Sequence, residues 1–404
     1  MAPGVWLIVA MMTGGDPPLR ADPAVLAAVP PEVLERVQAD PYAYFRLINR
    51  EWSARACERL ADEVHGQPLA RLHGDAHLAQ YAYNDEAWGL DDFDDSARGP
   101  ALVDIVRFLG SIDLATRRRG WTDARVRLFD RFFAGYRKGL SDPKFRPPEP
   151  GVVTRLRAHD TKRPENAWLA WADSLMDPMR DTPMQGVVAG MGVFSRLLRR
   201  ERPALPESYF HVVKAGWLRL GTGSAALPKV LIRVQGPSDS PDDDVIVEAK
   251  AARSLDGIRC LDLAGTRPGA RVVSGAMQVG RLKHDIIAAG PDLAISDMTV
   301  QNLHLRDWWI RSWEASYREV TLDDLASVDE MSDVVYDAAV QLGSGWLHGS
   351  TGAEQVTLQN ESLAWLSRSE TRLRRTAMAM TEDLLVGWRE LADRRPGPGG
   401  QARR

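Results

Sequence analysis

The periodicity of this chain changes at Val212, and that change limits its fold more than any other feature. Three runs, Val212–Leu220, Lys229–Gln235 and Asp244–Ala251, are rich in β-branched and apolar residues. The first two are joined through Gly221-Thr222-Gly223-Ser224 and the last two by the Pro/Ser/Asp turn Gly236–Asp243, which is the punctuation of strands. Leu303–Trp313 adds a further β-like, aromatic run. On both sides of this block apolar residues recur at helical spacing, as in Tyr44, Phe45, Ile48, Trp52, Cys57 and Leu60 within Pro31–Glu63. Helices are also predicted over Leu102–Ala115, Val126–Leu140, Gly186–Arg199, Ala276–Ala289, Ser332–Leu347 and Glu354–Ala392. The pattern predicts an α+β fold with residues 1–205 and 321–392 in one helical lobe, 206–320 in a small β-rich lobe, and 393–404 as a disordered tail.

A chain of 404 residues that is 44% hydrophobic has enough apolar surface for a sizeable core. Its net charge of −4 gives no electrostatic basis for binding nucleic acid. Val5–Met12 is apolar but too short to span a bilayer, and reads as a buried strand or helix. Cys57 and Cys260 lie far apart without metal-ligand spacing and read as two reduced thiols. These features together predict a cytoplasmic protein with no membrane partner.

Two acidic blocks, His73-Gly74-Asp75-Ala76-His77 and Asp91-Asp92-Phe93-Asp94-Asp95, flank the strand-like Trp88–Leu90. Concentrating that much negative charge is costly unless a divalent cation or a reacting proton uses it. In the first block Gly74 permits a tight backbone path and Asp75 is a candidate base for a substrate hydroxyl. In the second, Asp92 and Asp94 are hard oxygen ligands suited to Mg²⁺, and the amide of Gln80 is placed to complete the shell. The hairpin Gly221-Thr222-Gly223-Ser224 offers backbone N–H groups to phosphate oxygens. One hairpin later Lys250 ends an apolar strand, where its ammonium can neutralise phosphates.

In these motifs the chain resembles the DUF2252 family and, more distantly, aminoglycoside phosphotransferases and other protein-kinase-like enzymes. His73-Gly74-Asp75-Ala76-His77-Leu78-Ala79-Gln80 resembles their catalytic loop, and Leu90-Asp91-Asp92-Phe93-Asp94 their metal-binding block. Gly99-Pro100 followed by Asp104 and Arg107, the pair Leu220–Ser224 and Val245–Lys250, and Asp307-Trp308-Trp309-Ile310-Arg311 resemble further parts of DUF2252. The resemblance implies a two-lobed kinase-like fold and ATP- and Mg²⁺-dependent transfer to a hydroxyl of a small molecule, with Mn²⁺ as a substitute metal. It makes Asp75 the base, Asp92 the principal metal ligand with Gln80 and Asp94, and Lys250 with Gly221, Thr222, Gly223 and Ser224 the nucleotide-binding residues. His73, His77 and Asp104 become supports of the catalytic loop. Asp75 and Asp92 are expected to face Lys250 and the Gly-rich turn across a cleft that admits a triphosphate.

Three departures stand out. Gln80 occupies the place of a shorter Asn, Ala226 that of the last Gly of the turn, and no helical Glu is evident to pair with Lys250. Gln278 has a plausible helix position, and Glu248 is read as facing away from Lys250. The motif order is also reversed, since the Gly-rich turn and Lys follow the catalytic loop. Val335–His348 resembles the helix that normally leads to that loop, which implies circular permutation. Competing readings are a nucleotide-binding pseudoenzyme that regulates a partner, and an ATP-dependent nucleotidyl-transfer or carboxylate-activating enzyme. A DDxxD-type lyase or prenyl transferase is disfavoured by the β-rich block, and a Zn hydrolase using His73, Asp75 and His77 lacks further ligands.

Overall fold

The computed structural model describes residues 17–65, 67–160, 164–218, 227–289 and 308–394. Val5–Met12, the turn residues Gly221, Thr222, Gly223 and Ser224, Ala226, and the tail beyond Arg394 lie outside the described residues.

The N-terminal part is helical: α1 (Pro23–Ala28), α2 (Pro31–Ala39), α3 (Pro41–Leu47), α4 (Asn49–Arg59) and α5 (Ala61–Val64). Asp22 and Asp40 cap α1 and α3 by accepting the N–H of Ala24 and Tyr42, each cap preceding a Pro at the first helical position. Four short strands follow, β1 (Ala70–Arg71), β2 (Tyr81–Tyr83), β3 (Trp88–Leu90) and β4 (Arg98–Gly99). Next come the helices α6 (Leu102–Arg119) and α7 (Arg125–Ser141). Residues from Leu102 to Thr116 of α6 are all buried, so this helix is the axis of the core.

Three further helices, α8 (Gly151–His159), α9 (Glu165–Ser174) and α10 (Asp181–Glu201), lead to the β-rich block. The block contains β5 (Val212–Trp217), β6 (Lys229–Val234), β7 (Val245–Ala251), α11 (Pro268–Gln278), β8 (Ile287–Ala289) and β9 (Trp308–Ser312). The chain ends with β10 (Arg318–Glu319), α12 (Val328–Trp346) and α13 (Gly352–Ala392). The helix expected over Ala276–Ala289 is therefore two elements. It starts earlier, at Pro268, and ends at Gln278, while Ile287–Ala289 pairs with β9 as a strand. Among the described residues no helix is long and apolar enough to cross a membrane.

The fold is mixed α+β, with one five-stranded antiparallel sheet in the order β5-β6-β7-β9-β8. Period-two alternation gives this sheet two unlike faces. Val230, Ile232, Val247, Ala249, Trp308 and Ile310 form an apolar face that packs with Val187, Met191 and Phe194 of α10. The other face carries Lys229, Leu231, Glu248, Lys250, Trp309 and Arg311 in register across three strands. Glu248 and Lys250 thus share a face. The expectation that Glu248 points away is corrected, because residues two apart on a strand lie on the same side.

Helices from both ends of the chain make one core, since α12 packs on α7 and α13 on α6 and α7. Gly135 and Gly139 of α7 and Gly343 of α12 allow the two backbones to touch. A Cβ at Gly139 would overlap the carbonyl of Val340, and one at Gly343 the carbonyl of Tyr136. A second correction concerns the cysteines, which form a disulfide between α4 and the segment after β7, with Cα atoms 5.7 Å apart. Sequence distance hid a spatial neighbour, and this separation lies within disulfide reach.

Two outcomes follow from this packing. Gly139→Val will force α7 and α12 apart and lower the free energy of urea unfolding by about 1–3 kcal/mol, the usual cost of overpacking. Peptide mapping without reductant will recover Cys57 and Cys260 in one cross-linked species that reductant separates.

Candidate functional site

The site is built on two loops that face the charged side of the sheet. The first, His73–Gln80, is held by α6. The carboxylate of Asp104, in the first turn of that helix, accepts the backbone N–H of His73 at 2.8 Å and of Gly74 at 2.8 Å. Gly74 has φ +88°, and a Cβ there would overlap the carbonyl of Asp95, so both conformation and space require glycine. One turn after Asp104, Arg107 donates from Nε to Asp75 Oδ1 at 2.8 Å and from a terminal nitrogen to the Phe45 carbonyl at 2.9 Å. The loop thus takes its shape from one buried helix.

The two loops are joined through His73. Its Nε2–H donates to the Asp91 carbonyl at 2.9 Å, and its Nδ1 accepts the Asp75 N–H at 3.3 Å, which defines one tautomer. Asp91 N–H in turn donates to the Gln80 carbonyl at 2.8 Å. Asn49, at the start of α4, donates to the Gly74 carbonyl at 2.9 Å and to Asp95 at 2.7 Å, while Arg253 reaches Asp95 at 3.3 Å. Asp92 itself has φ +62°, a left-handed conformation that Asp tolerates.

The sheet reaches this block through Lys250 and Arg311. Lys250 Nζ lies 3.2 Å from Asp92, 3.4 Å from Asp94 and 3.9 Å from Glu248. Arg311 bridges Asp91 at 2.7 Å and Glu248 at 3.2 Å, and Trp313 Nε1–H donates to Glu248 at 3.0 Å. His284 Nε2 stands 3.5 Å from Asp91. The gap expected between Lys250 and the acidic block is therefore spanned by ion pairs, because opposite charges at this spacing draw together. A cavity of about 510 Å³ lies beside the residues after β9, lined by Tyr83, Trp168, Ile246, Trp313 and Glu314 among others, and none of the expected site residues borders it.

The charges set one another. Burial pushes the Asp75 carboxyl up, but Arg107 and the neighbouring imidazoles overcome it and hold the group down at about 2. Burial lowers His77 to about 4 against the pull of Asp75, so its ring is neutral at neutral pH. Burial also raises Asp92, yet Lys250 and Arg311 bring it well below the usual carboxylate range. Asp94 is raised by burial and by the charge of Asp92, with Lys250 opposing.

Asp94 Oδ1 is buried and lacks a hydrogen-bond partner. Two adjacent carboxylates, one with an unused oxygen, fit a hard cation such as Mg²⁺, which takes one or two carboxylates and completes its shell with water or phosphate. Among the described residues no group of three or more His, Cys, Asp or Glu side chains is arranged to hold a metal. Gln80 is buried, and its backbone rather than its side chain connects it to the acidic block. Gln278 ends α11, and Lys250 takes its strand-side carboxylate from Glu248 instead. The sequence reading missed Asn49, Arg253 and His284, which carry no local motif, and gave Arg311 only as the end of a strand motif, without its contacts to Asp91 and Glu248. Glu248 was within reach of the period-two rule.

Stability should report the Asp75–Arg107 pair directly. The depressed Asp75 pKa contributes stability above an unfolded value of about 4, which is lost as pH falls towards about 2. His77, also depressed, adds a loss between about 6.5 and about 4. Arg107→Leu leaves Asp75 buried and unpaired and will cost about 3–5 kcal/mol at pH 7. The deficit will shrink towards pH 3 as the carboxyl protonates, and urea unfolding at pH 3, 5 and 7 measures it.

Residues 28–169 match a family described as an uncharacterized protein conserved in bacteria (DUF2252). That span includes both acidic loops and α6, and it ends before the five-stranded sheet. No curated protein and no solved structure matches the chain.

Proposed function

We propose that this protein is an ATP- and Mg²⁺-dependent phosphotransferase of kinase-like, circularly permuted fold, acting on a hydroxyl of a small molecule. The observation that carries the reading is Lys250. It lies on the third strand of the sheet in chain order and contacts Asp92 and Asp94 of the block that His73 ties to the His-Gly-Asp loop. A strand-borne Lys for phosphates, carboxylates for the metal and a carboxylate for the acceptor hydroxyl are the parts phosphoryl transfer uses. The permuted order is supported by α12 and α13, which pack on α6 and α7 although residues 142–327 lie between Ser141 and Val328 in the sequence.

Mg²⁺ held by Asp92 and Asp94 would neutralise charge on the phosphates. Lys250 adds a fixed positive charge on the sheet side. Arg107 occupies Asp75 Oδ1, which leaves Oδ2 to orient the acceptor hydroxyl and receive its proton. As the acceptor oxygen bonds to the γ-phosphorus, the bond from that phosphorus to the β–γ bridging oxygen breaks and ADP leaves. A carboxylate near 2 is a weak base, which suits a loose transition state where the nucleophile is little bonded.

A nucleotide-binding pseudoenzyme is the second reading. It is favoured by the Arg107 hold on Asp75 and by Gln80, whose extra methylene suits a demanding octahedral shell poorly.

Nucleotide binding and turnover separate the two. With Mg²⁺, ATP will raise the melting temperature of the wild type and of Asp75→Asn, but Lys250→Met and Asp92→Ala will lose the shift. Transfer to hydroxylated small molecules will be abolished in Asp75→Asn. Equal turnover in wild type and Asp75→Asn removes the base, and nucleotide binding with no transfer to any acceptor leaves the pseudoenzyme. Gln80→Asn will lower the Mg²⁺ concentration needed for half-maximal rate.

A further inference from the structure

Beside the acidic loops stands a cation without an acid of its own, Arg46 of α3. It is half-buried, and its Nε is buried with no hydrogen-bond partner. Among the described residues no carboxylate pairs with its guanidinium, whereas Arg107, Arg118 and Arg311 each hold one. A buried N–H without a partner has given up its hydration for nothing, a cost that an incoming oxygen removes. Arg46 borders a cavity of about 330 Å³, lined also by Tyr42, Ala79, Arg118, Glu319 and Asp323. That is the small end of the range for ligand pockets, which begins at roughly 300 Å³.

The cavity adjoins both loops of the site. Ala79 belongs to the His73–Gln80 loop, and its N–H donates to the Tyr42 hydroxyl at 3.3 Å. Phe45, next to Arg46, gives its carbonyl to the Arg107 that holds Asp75. Arg46 is within electrostatic reach of His77, whose Nε2 stands 3.7 Å from Asp75 Oδ2, the oxygen left for an acceptor hydroxyl. At the other edge Glu319 feels the charges of both Arg46 and Asp92.

We infer that Arg46 binds the carboxylate of a small hydroxy acid in this cavity, and that such acids are the acceptors of the transfer. The acceptor role rests on the phosphotransferase reading above, while the binding rests on the cavity and Arg46 alone. A guanidinium presents parallel N–H groups that match the two oxygens of a carboxylate. A phosphate shares that geometry but brings up to two negative charges to a lining that already holds Asp40, Glu319 and Asp323. Arg118 is engaged by Asp40 and Asp323, and Arg36, the remaining cation of the lining, is exposed. Arg46 therefore offers one uncommitted charge, which a monoanion balances. In the transfer the acid's hydroxyl gives its proton to Asp75 and its oxygen bonds to the γ-phosphorus. ADP leaves, and the carboxylate is unchanged.

The test uses the full chain and two matched pairs, glycerate with glycerol and gluconate with sorbitol, the acid of each pair carrying the carboxylate. By calorimetry each acid will bind about tenfold or more tighter than its alcohol. Arg46→Gln will weaken the acids about tenfold and leave the alcohols as they were. Arg46→Lys, which keeps the charge and loses the fork, will fall between. With ATP and Mg²⁺, Arg46→Gln will raise KM for the acids more than it lowers kcat. The ATP-induced melting shift will persist in Arg46→Gln and vanish in Lys250→Met. Should Arg46→Gln fail to fold, phenylglyoxal modification of Arg46 in the wild type, followed by peptide mapping, will be slowed by gluconate and not by sorbitol.

Acids that bind no better than their alcohols, or that bind Arg46→Gln as they bind the wild type, overturn the inference, and the nucleotide reading is then judged by its ATP shift alone. A variant that melts several degrees lower yet keeps full acid affinity makes Arg46 a structural arginine and also overturns it. Acid binding through Arg46 in a wild type without an ATP shift leaves the carboxylate site standing and removes the phosphotransferase reading. An ATP shift with no transfer to either bound acid keeps the site and overturns its role as the acceptor's.

Discussion

The arrangement of this protein depends on burying carboxylates without leaving them alone. Asp75, Asp91, Asp95, Asp104 and Glu248 are all buried, and Asp92 and Asp94 lie half-buried between them. An unpaired carboxylate in such surroundings would neutralise or expel itself from the core. Here each buried acid has a specific donor: Arg107 for Asp75, Arg311 for Asp91, Asn49 and Arg253 for Asp95, two backbone N–H groups for Asp104, and Trp313 with Arg311 for Glu248. The donors come from α4, the loop after β1, α6, β9 and the segments after β7 and β9, so neutralising the acids requires those elements to be in place together. Charge compensation and tertiary structure are therefore one problem in this chain.

That coupling explains the roles of α6 and the sheet. α6 is a largely apolar rod in which Asp104 shapes the His73–Gln80 loop and Arg107 holds the acid within it, while Asp113 pairs elsewhere with Arg117 and Arg125. The sheet does the converse. Its apolar face is sealed by α10, which leaves the charged face no option but to meet the acidic block. Arg311 bridges the two sides by contacting Asp91 and Glu248 at once, and the disulfide between Cys57 and Cys260 fastens α4 to the segment after β7. These links hold Asp92, Asp94 and Lys250 in one place.

Much of this was legible locally. The strands β5, β6 and β7 follow from β-branched runs between turn residues, and the caps at Asp22 and Asp40 lie just ahead of their helices. The glycine before Asp75 is intelligible once its φ of +88° and the adjacent Asp95 carbonyl are known. The misreadings have equally local causes. Ala276–Ala289 has helical spacing, yet its last residues are claimed by an edge pairing with β9. Glu248 was placed on the wrong side by miscounting a period of two, an error that the register with Arg311 makes plain.

Sequence by itself determined which residue types stand at short range: a tight His-Gly-Asp loop, an acidic block, a strand ending in Lys, and long amphipathic helices at the chain ends. Each depends on interactions among neighbours, and these are written in spacing and side-chain chemistry. The partners of the charges were decided only by tertiary structure. Asn49 with Asp95, Arg311 with Asp91, Cys57 with Cys260 and the opposition of Lys229 to Lys250 join positions that no periodicity relates. Such pairings arise when helices and strands close around a shared core, and the low dielectric there gives each charge a strong preference for one neighbour over water.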